Sequence, residues 1–98
     1  MIHDLKILPC YFNASQKGIK PFEVRKNDRF YNEGDILHLM EYGKNEYDKW
    51  FYTGREIYKK VTYILNDSEY CKDGYVIMGV RNIRKVPIKE DKIDLLFV

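Results

Sequence analysis

Gly18-Ile19-Lys20-Pro21-Phe22-Glu23-Val24-Arg25 sets a glycine turn ahead of a short alternating segment that carries a lysine, a glutamate and an arginine. Side chains alternate along an extended chain, so Phe22 and Val24 fall on one face and Glu23 and Arg25 on the other. The expectation is that the apolar pair buries and the charged pair works. Pro21 keeps Lys20 out of helical torsions, and Gly18 can take the positive φ that ends a preceding helix. By parity Lys20 falls in line with Phe22, so the three charges converge only if the chain bends between Gly18 and Pro21.

Upstream, Ile2 to Leu8 alternates as a first strand, with Leu5 and Ile7 inward and Asp4 and Lys6 outward. Pro9 suits the first turn of a helix that Gly18 stops. About two turns cannot hold alone in water, so Tyr11 and Phe12 are expected to pack on the sheet. Downstream, Lys26-Asn27-Asp28-Arg29 enters a turn, where Asp28 either bonds its own backbone or frames a site. Glu33-Gly34-Asp35 marks another turn. Ile36 to Tyr42 follows as an apolar strand with Leu37 and Leu39 in the core and His38 on the other face. His3, near the chain's start, is either a ligand contact or a structural residue.

Gly43 to Lys49 reads as a mobile polar loop, and Thr53-Gly54 as a hairpin tip. Trp50, Phe51 and Tyr52 cannot all face one side of a strand, so at least one ring is offered outward. Arg55 to Leu65 makes a long strand with Ile57, Lys59, Val61, Tyr63 and Leu65 on one face. Tyr75 to Val80 closes the set as an apolar strand. Lys85 to Val98, set off by Pro87, is too apolar to float free and is expected to dock on the domain or on a second subunit.

The 98 residues support a single domain with a modest core. A 45% hydrophobic, 33% charged composition places the chain among ordered proteins, and nine tyrosines favour β structure. The net charge of +2 does not by itself argue for nucleic acid. Its distribution says more: between residues 17 and 29 five cations (Lys17, Lys20, Arg25, Lys26, Arg29) face two anions (Glu23, Asp28). That stretch is either a solvated charged face or an anion-binding patch. Cys10 and Cys71 belong to no metal or redox spacing, so neither metal nor cofactor is expected, and both read as reduced thiols. No stretch is long and apolar enough to span a bilayer and no signal core opens the chain, so the cytoplasm is the expected location.

GIKPFEVR fits the G-x-K-x-x-E-x-R pattern of the ASCH domain, and the chain resembles the small DUF3850-type branch of that PUA-like superfamily. His3-Asp4-Leu5-Lys6-Ile7, Tyr11-Phe12, Asn27-Asp28-Arg29, Gly34-Asp35, Tyr52-Thr53-Gly54-Arg55 and Gly74-Tyr75-Val76-Ile77 supply further blocks over roughly residues 2 to 80. The resemblance implies an α+β fold, a small PUA-like β-barrel of about five to six strands with one or two short helices. The domain would cover residues 1–84, with 85–98 as an extension. It also implies a ligand site between helix and barrel, lined by Lys20, Glu23 and Arg25.

Two functions follow as expectations. In the first, a binding module for RNA or a nucleotide, Lys20, Arg25, Arg29 and Arg55 meet phosphates or base edges, Glu23 and Asp28 belong to the same ligand site, and Tyr52 or Trp50 stacks. In the second, a small hydrolase acting on a modified nucleoside or RNA, Lys20, Glu23 and Arg25 are catalytic. Cytidine-deacylating relatives carry a threonine nucleophile where this chain has Glu23, a departure that sets their mechanism aside. The architectural alternative is an ion-pair cluster holding helix to sheet. The branch also resembles proteins of phages and mobile elements, which implies a host macromolecule as a possible target. The chain is expected to be a monomer or a weak homodimer through its tail.

Overall fold

The computed structural model describes residues 1–83; the expectations for the C-terminal extension and its docking lie outside the described residues. The elements run β1 (Ile2–Ile7), α1 (Pro9–Gln16), β2 (Phe22–Lys26), β3 (Ile36–Lys44), β4 (Trp50–Leu65) and β5 (Tyr75–Asn82). Among the described residues they form one curled, half-barrel sheet in the order β1-β3-β4-β5-β2, with one short helix. β1 pairs with β3 in parallel and every other ladder is antiparallel.

Alternation fixes what the sheet buries. Leu5 and Ile7 from β1, Leu37 and Leu39 from β3, Val61 from β4 and Val76, Met78 and Val80 from β5 meet Phe12 of α1 in one core. Pro9 opens the helix, and Gly18 closes it at φ 76°. The Lys20 N–H then donates to the Ala14 carbonyl at 3.1 Å, which turns the chain back on the helix end. The bend needed to deliver Lys20 is therefore present. Phe12 is fully buried as expected, whereas Tyr11 is half exposed and does not join the core.

Four local readings change. The segment after Gly43 is the β3–β4 turn, ordered by the Asn45 side chain, whose Oδ1 accepts from the Tyr47 and Lys49 backbone N–H groups. Thr53-Gly54 is not a hairpin tip but lies inside β4, where Gly54 at φ 95° makes a bulge: Tyr42 pairs with Tyr52 and Met40 with Glu56. A second register shift between Val61 and Tyr63 turns Tyr63 outward and brings Ile64 against the core. A bulge moves the period-2 pattern by one residue, which no alternation count can anticipate.

The fourth change is at β2. Glu23 is 2% exposed while Phe22 and Val24 are 44% and 49% exposed, so the expected faces are exchanged. The charged face of this strand is the concave one. Both histidines are held by carboxylates: His3 Nε2 bonds Asp35 Oδ2 at 2.8 Å, and buried His38 lies between Asp4 and Glu56 at 2.8 and 2.9 Å.

Gly43 lets α1 sit close against the sheet, since a Cβ there would lie 2.7 Å from Pro9 Cγ and 3.3 Å from Pro9 Cδ. A pyrrolidine ring cannot swing aside. Gly43→Ala is expected to cost about 1–3 kcal/mol by overpacking, a fall in Tm of roughly 4–8 °C per kcal/mol in a thermal melt.

Candidate functional site

β1 and β2 are the two outer strands of the sheet, and curling brings them toward each other without a backbone ladder between them. Three cations cap the carbonyls along this seam. Lys20 Nζ donates to the Phe22 carbonyl at 2.9 Å, Arg25 Nη1 crosses to the Lys6 carbonyl at 2.8 Å, and Arg29 Nη1 reaches the Asp4 carbonyl at 3.0 Å. Side chains do here what a closed ladder does elsewhere, and they block another strand from adding at this edge.

Glu23 holds the centre. Its Oε2 accepts from Lys20 Nζ at 2.5 Å, and its Oε1 accepts from Arg25 Nε and Nη2 at 3.1 and 2.8 Å. The carboxylate is buried, but the Lys20 and Arg25 side chains keep 18% and 21% of their surface. The glutamate therefore positions two cations that still reach solvent.

That solvent is a hollow of about 470 Å³, lined by Lys6, Ile7, Leu8, Tyr11, Lys20, Phe22, Glu23, Val24 and Arg25. Its size falls in the range of roughly 300–1,000 Å³ typical of small-ligand sites. Lys20 Nζ lies 5.5 and 5.2 Å from the centroids of Tyr11 and Phe22, so the two rings flank the ammonium. A second hollow of about 530 Å³ shares Lys6 and Arg25 with the first and adds Asp28, Arg29, Tyr31 and Tyr52.

The structure thus joins Lys20, Glu23 and Arg25 in one cluster and gathers Asp28, Arg29 and Tyr52 with Arg25 around the adjoining hollow. Arg55 stands apart. Its Nε and Nη2 bond both oxygens of buried Glu41, Nη2 also reaches Asn13 Oδ1, and the guanidinium stacks over Phe12 at 4.4 Å. Glu41 further accepts from the Thr53 hydroxyl, so it fills the β4 bulge with its own bonds. Among the described residues no group of His, Cys, Asp and Glu could hold a metal.

Lys59 was not among the residues picked out by sequence. It is 1% exposed, and its ammonium donates to the Ser15 carbonyl at the end of α1. The signal was a lysine between Ile57 and Val61 on the apolar face of a strand. Burial pulls its pKa below the ordinary lysine value, while Glu23 opposes the shift and Lys20 adds to it. Lys20 and Arg25 bond the Glu23 carboxylate directly, and the Glu23 charge is felt by Lys59 as well.

A lysine with a depressed pKa binds fewer protons folded than unfolded, so stability rises as pH climbs toward the ordinary value of 10.5. Buried Tyr31 works against this above its ordinary value of 10.0, its phenol raised by burial despite Arg29 and Arg25. Comparison with Lys59→Met isolates the lysine. The wild type is expected to gain Tm relative to that variant between neutral pH and 10.5; a constant difference would show that Lys59 titrates normally.

The family model described as "Domain of unknown function (DUF3850)" matches residues 2–80. A protein of Escherichia phage P2, described as "Uncharacterized 12.9 kDa protein in GpA 3'region", is 34% identical over 77 residues, which are 79% of this chain. The aligned stretch spans only 65% of the phage protein's length.

Proposed function

The chain belongs to the DUF3850 family, and from that premise we propose that it is an ASCH-type, PUA-like module that binds RNA or a nucleotide in the seam between β1 and β2. The observation that carries this reading is the buried carboxylate of Glu23 holding Lys20 and Arg25 at the rim of a hollow of about 470 Å³. Pre-placed donors lose little freedom when they meet a phosphate. Tyr11 and Phe22 offer rings for a base, and Arg29 with Lys26 lines the adjoining hollow where a phosphate backbone would continue. The G-x-K-x-x-E-x-R motif supports the ASCH assignment.

The competing reading is a small hydrolase in the same hollow. Both Glu23 oxygens are taken by cations, an arrangement that suits an anchoring carboxylate better than one passing protons to water. The phage relative leaves room for a host macromolecule as the target, and a host RNA would satisfy both descriptions.

The test is association with a fluorescein-labelled uridine oligomer across a salt series. Affinity should fall steeply with salt, and Lys20→Ala and Arg25→Ala should each flatten the slope of log K against log salt by about 0.7. Binding that ignores both substitutions, or turnover of the oligomer lost in Glu23→Gln, would overturn the binding-module reading.

A further inference from the structure

The outer face of the β3–β4 hairpin carries an aromatic row of which only Tyr52 borders the seam's hollows. Tyr42 pairs with Tyr52 and Lys44 with Trp50, which puts all four side chains on one face. The Tyr42 ring stacks on Trp50 with centroids 5.3 Å apart and 9° between planes, and it meets Tyr52 at 4.8 Å and 55°. Lys6 Nζ stands 4.3 Å over Tyr42 and Lys44 Nζ 5.3 Å over Trp50. Trp50 and Tyr52 remain 50% and 51% exposed. Lys44 is also paired with Asp48 at 3.0 Å, both largely in solvent.

Cross-strand packing accounts for the contacts between these rings. It does not account for the half-exposed Trp50 and Tyr52 rings, or for one ammonium over Tyr42 and another over Trp50. Stacking faces interleaved with cations are what a single-stranded polynucleotide needs, since every base has a π-face and every linkage a phosphate. The row also connects to the seam, because Tyr52 and Lys6 line the second hollow together with Arg25 and Arg29. Asp4, which also lines that hollow, and Glu56 place negative charge around His38 on the same outer face, six residues along β3 from Lys44.

We propose that this face is a second subsite for the same ligand: a single-stranded polynucleotide leaves the seam past Tyr52 and Lys6, stacks bases on the Tyr52–Tyr42–Trp50 row, and sets its phosphates against Lys6 and Lys44. This rests on the nucleotide reading of the seam and extends it from a single nucleotide to a strand.

Trp50 is the chain's one tryptophan, so its fluorescence reports on this subsite alone. A uridine oligomer of about ten nucleotides should quench it, and uridine monophosphate, occupying the seam, should not. Trp50→Ala should weaken the labelled oligomer about tenfold by fluorescence anisotropy, Trp50→Phe should restore most of that loss, and circular dichroism should show all three proteins folded. Monophosphate affinity should not change. A deoxythymidine oligomer run in parallel tells ribose from deoxyribose.

An oligomer that binds without quenching Trp50, or equally well to Trp50→Ala, overturns the second subsite while the seam reading stands. Quenching that survives in Lys20→Ala and Arg25→Ala, with no monophosphate binding, overturns the seam and leaves the aromatic row as a site of its own. Quenching by the monophosphate itself overturns the strand path. If no oligonucleotide quenches, the polynucleotide reading of this face fails and the row is left to a protein partner.

Discussion

Glu23→Ala is expected to destabilise the protein by about 3 kcal/mol or more, because removing one member of a buried charge cluster leaves the others uncompensated. Lys20 and Arg25 can turn toward water, but Lys59 is 1% exposed and has Glu23 as the carboxylate that opposes its loss of charge. The same substitution frees the two cations from their fixed positions at the seam. Nucleotide binding should therefore weaken even in the fraction that stays folded, and binding measured well below the lowered Tm separates the two effects. Glu23→Gln keeps the volume and one acceptor oxygen, so it should keep more stability than alanine while losing affinity.

Glu41→Ala supplies the contrast. This carboxylate is 4% exposed and accepts from Thr53 and from two nitrogens of Arg55, which pins the β4 bulge to β3. Losing hydrogen bonds to a charged group of this kind should cost about 2 kcal/mol. The Arg55 hydrogen bond leads the effects that hold the Glu41 carboxyl below its ordinary pKa of 4.5; burial opposes it, and the Thr53 bond and the Arg55 charge reinforce it. A depressed carboxyl stabilises the folded state above its unfolded value, and that contribution fades as pH falls below about 4.5. Glu41→Gln should accordingly show a smaller loss of Tm on acidification than the wild type. Because Glu41 and Arg55 lie outside both seam hollows, ligand affinity should survive in either variant. A stability loss without an affinity loss at Glu41, beside both losses at Glu23, would separate architecture from function.

Local chemistry made much of this fold legible. Pro9, Gly18 and the alternation around Leu37 and Leu39 determine their elements through torsion and burial that act within a few residues. What escaped came from outside that range. The faces of β2 are exchanged because the sheet curls with Glu23 on its concave side, where Lys20 and Arg25 share its carboxylate; the isolated segment favours Phe22 and Val24 inward. Gly54 looked like a tip because a positive-φ glycine serves a turn and a bulge equally well. Among the expected site residues, Lys20, Glu23 and Arg25 converge because the bend after Gly18 carries the lysine over the strand. Arg55 lies elsewhere because Glu41, a strand away, engages its guanidinium. Lys59 is missed because a lysine in line with Ile57 and Val61 passes for one more member of that face until the core is seen to close around it.

The most direct test of the central claim is an NMR titration with uridine monophosphate that follows the Lys20 Nζ and Arg25 Nε resonances at low and high salt. The account predicts saturable shifts at both groups, accompanied by the Tyr11 and Phe22 ring signals and suppressed as salt rises. Resonances that stay fixed at high ligand concentration in the folded protein would contradict it and leave the Lys20–Glu23–Arg25 cluster a purely structural tie across the seam.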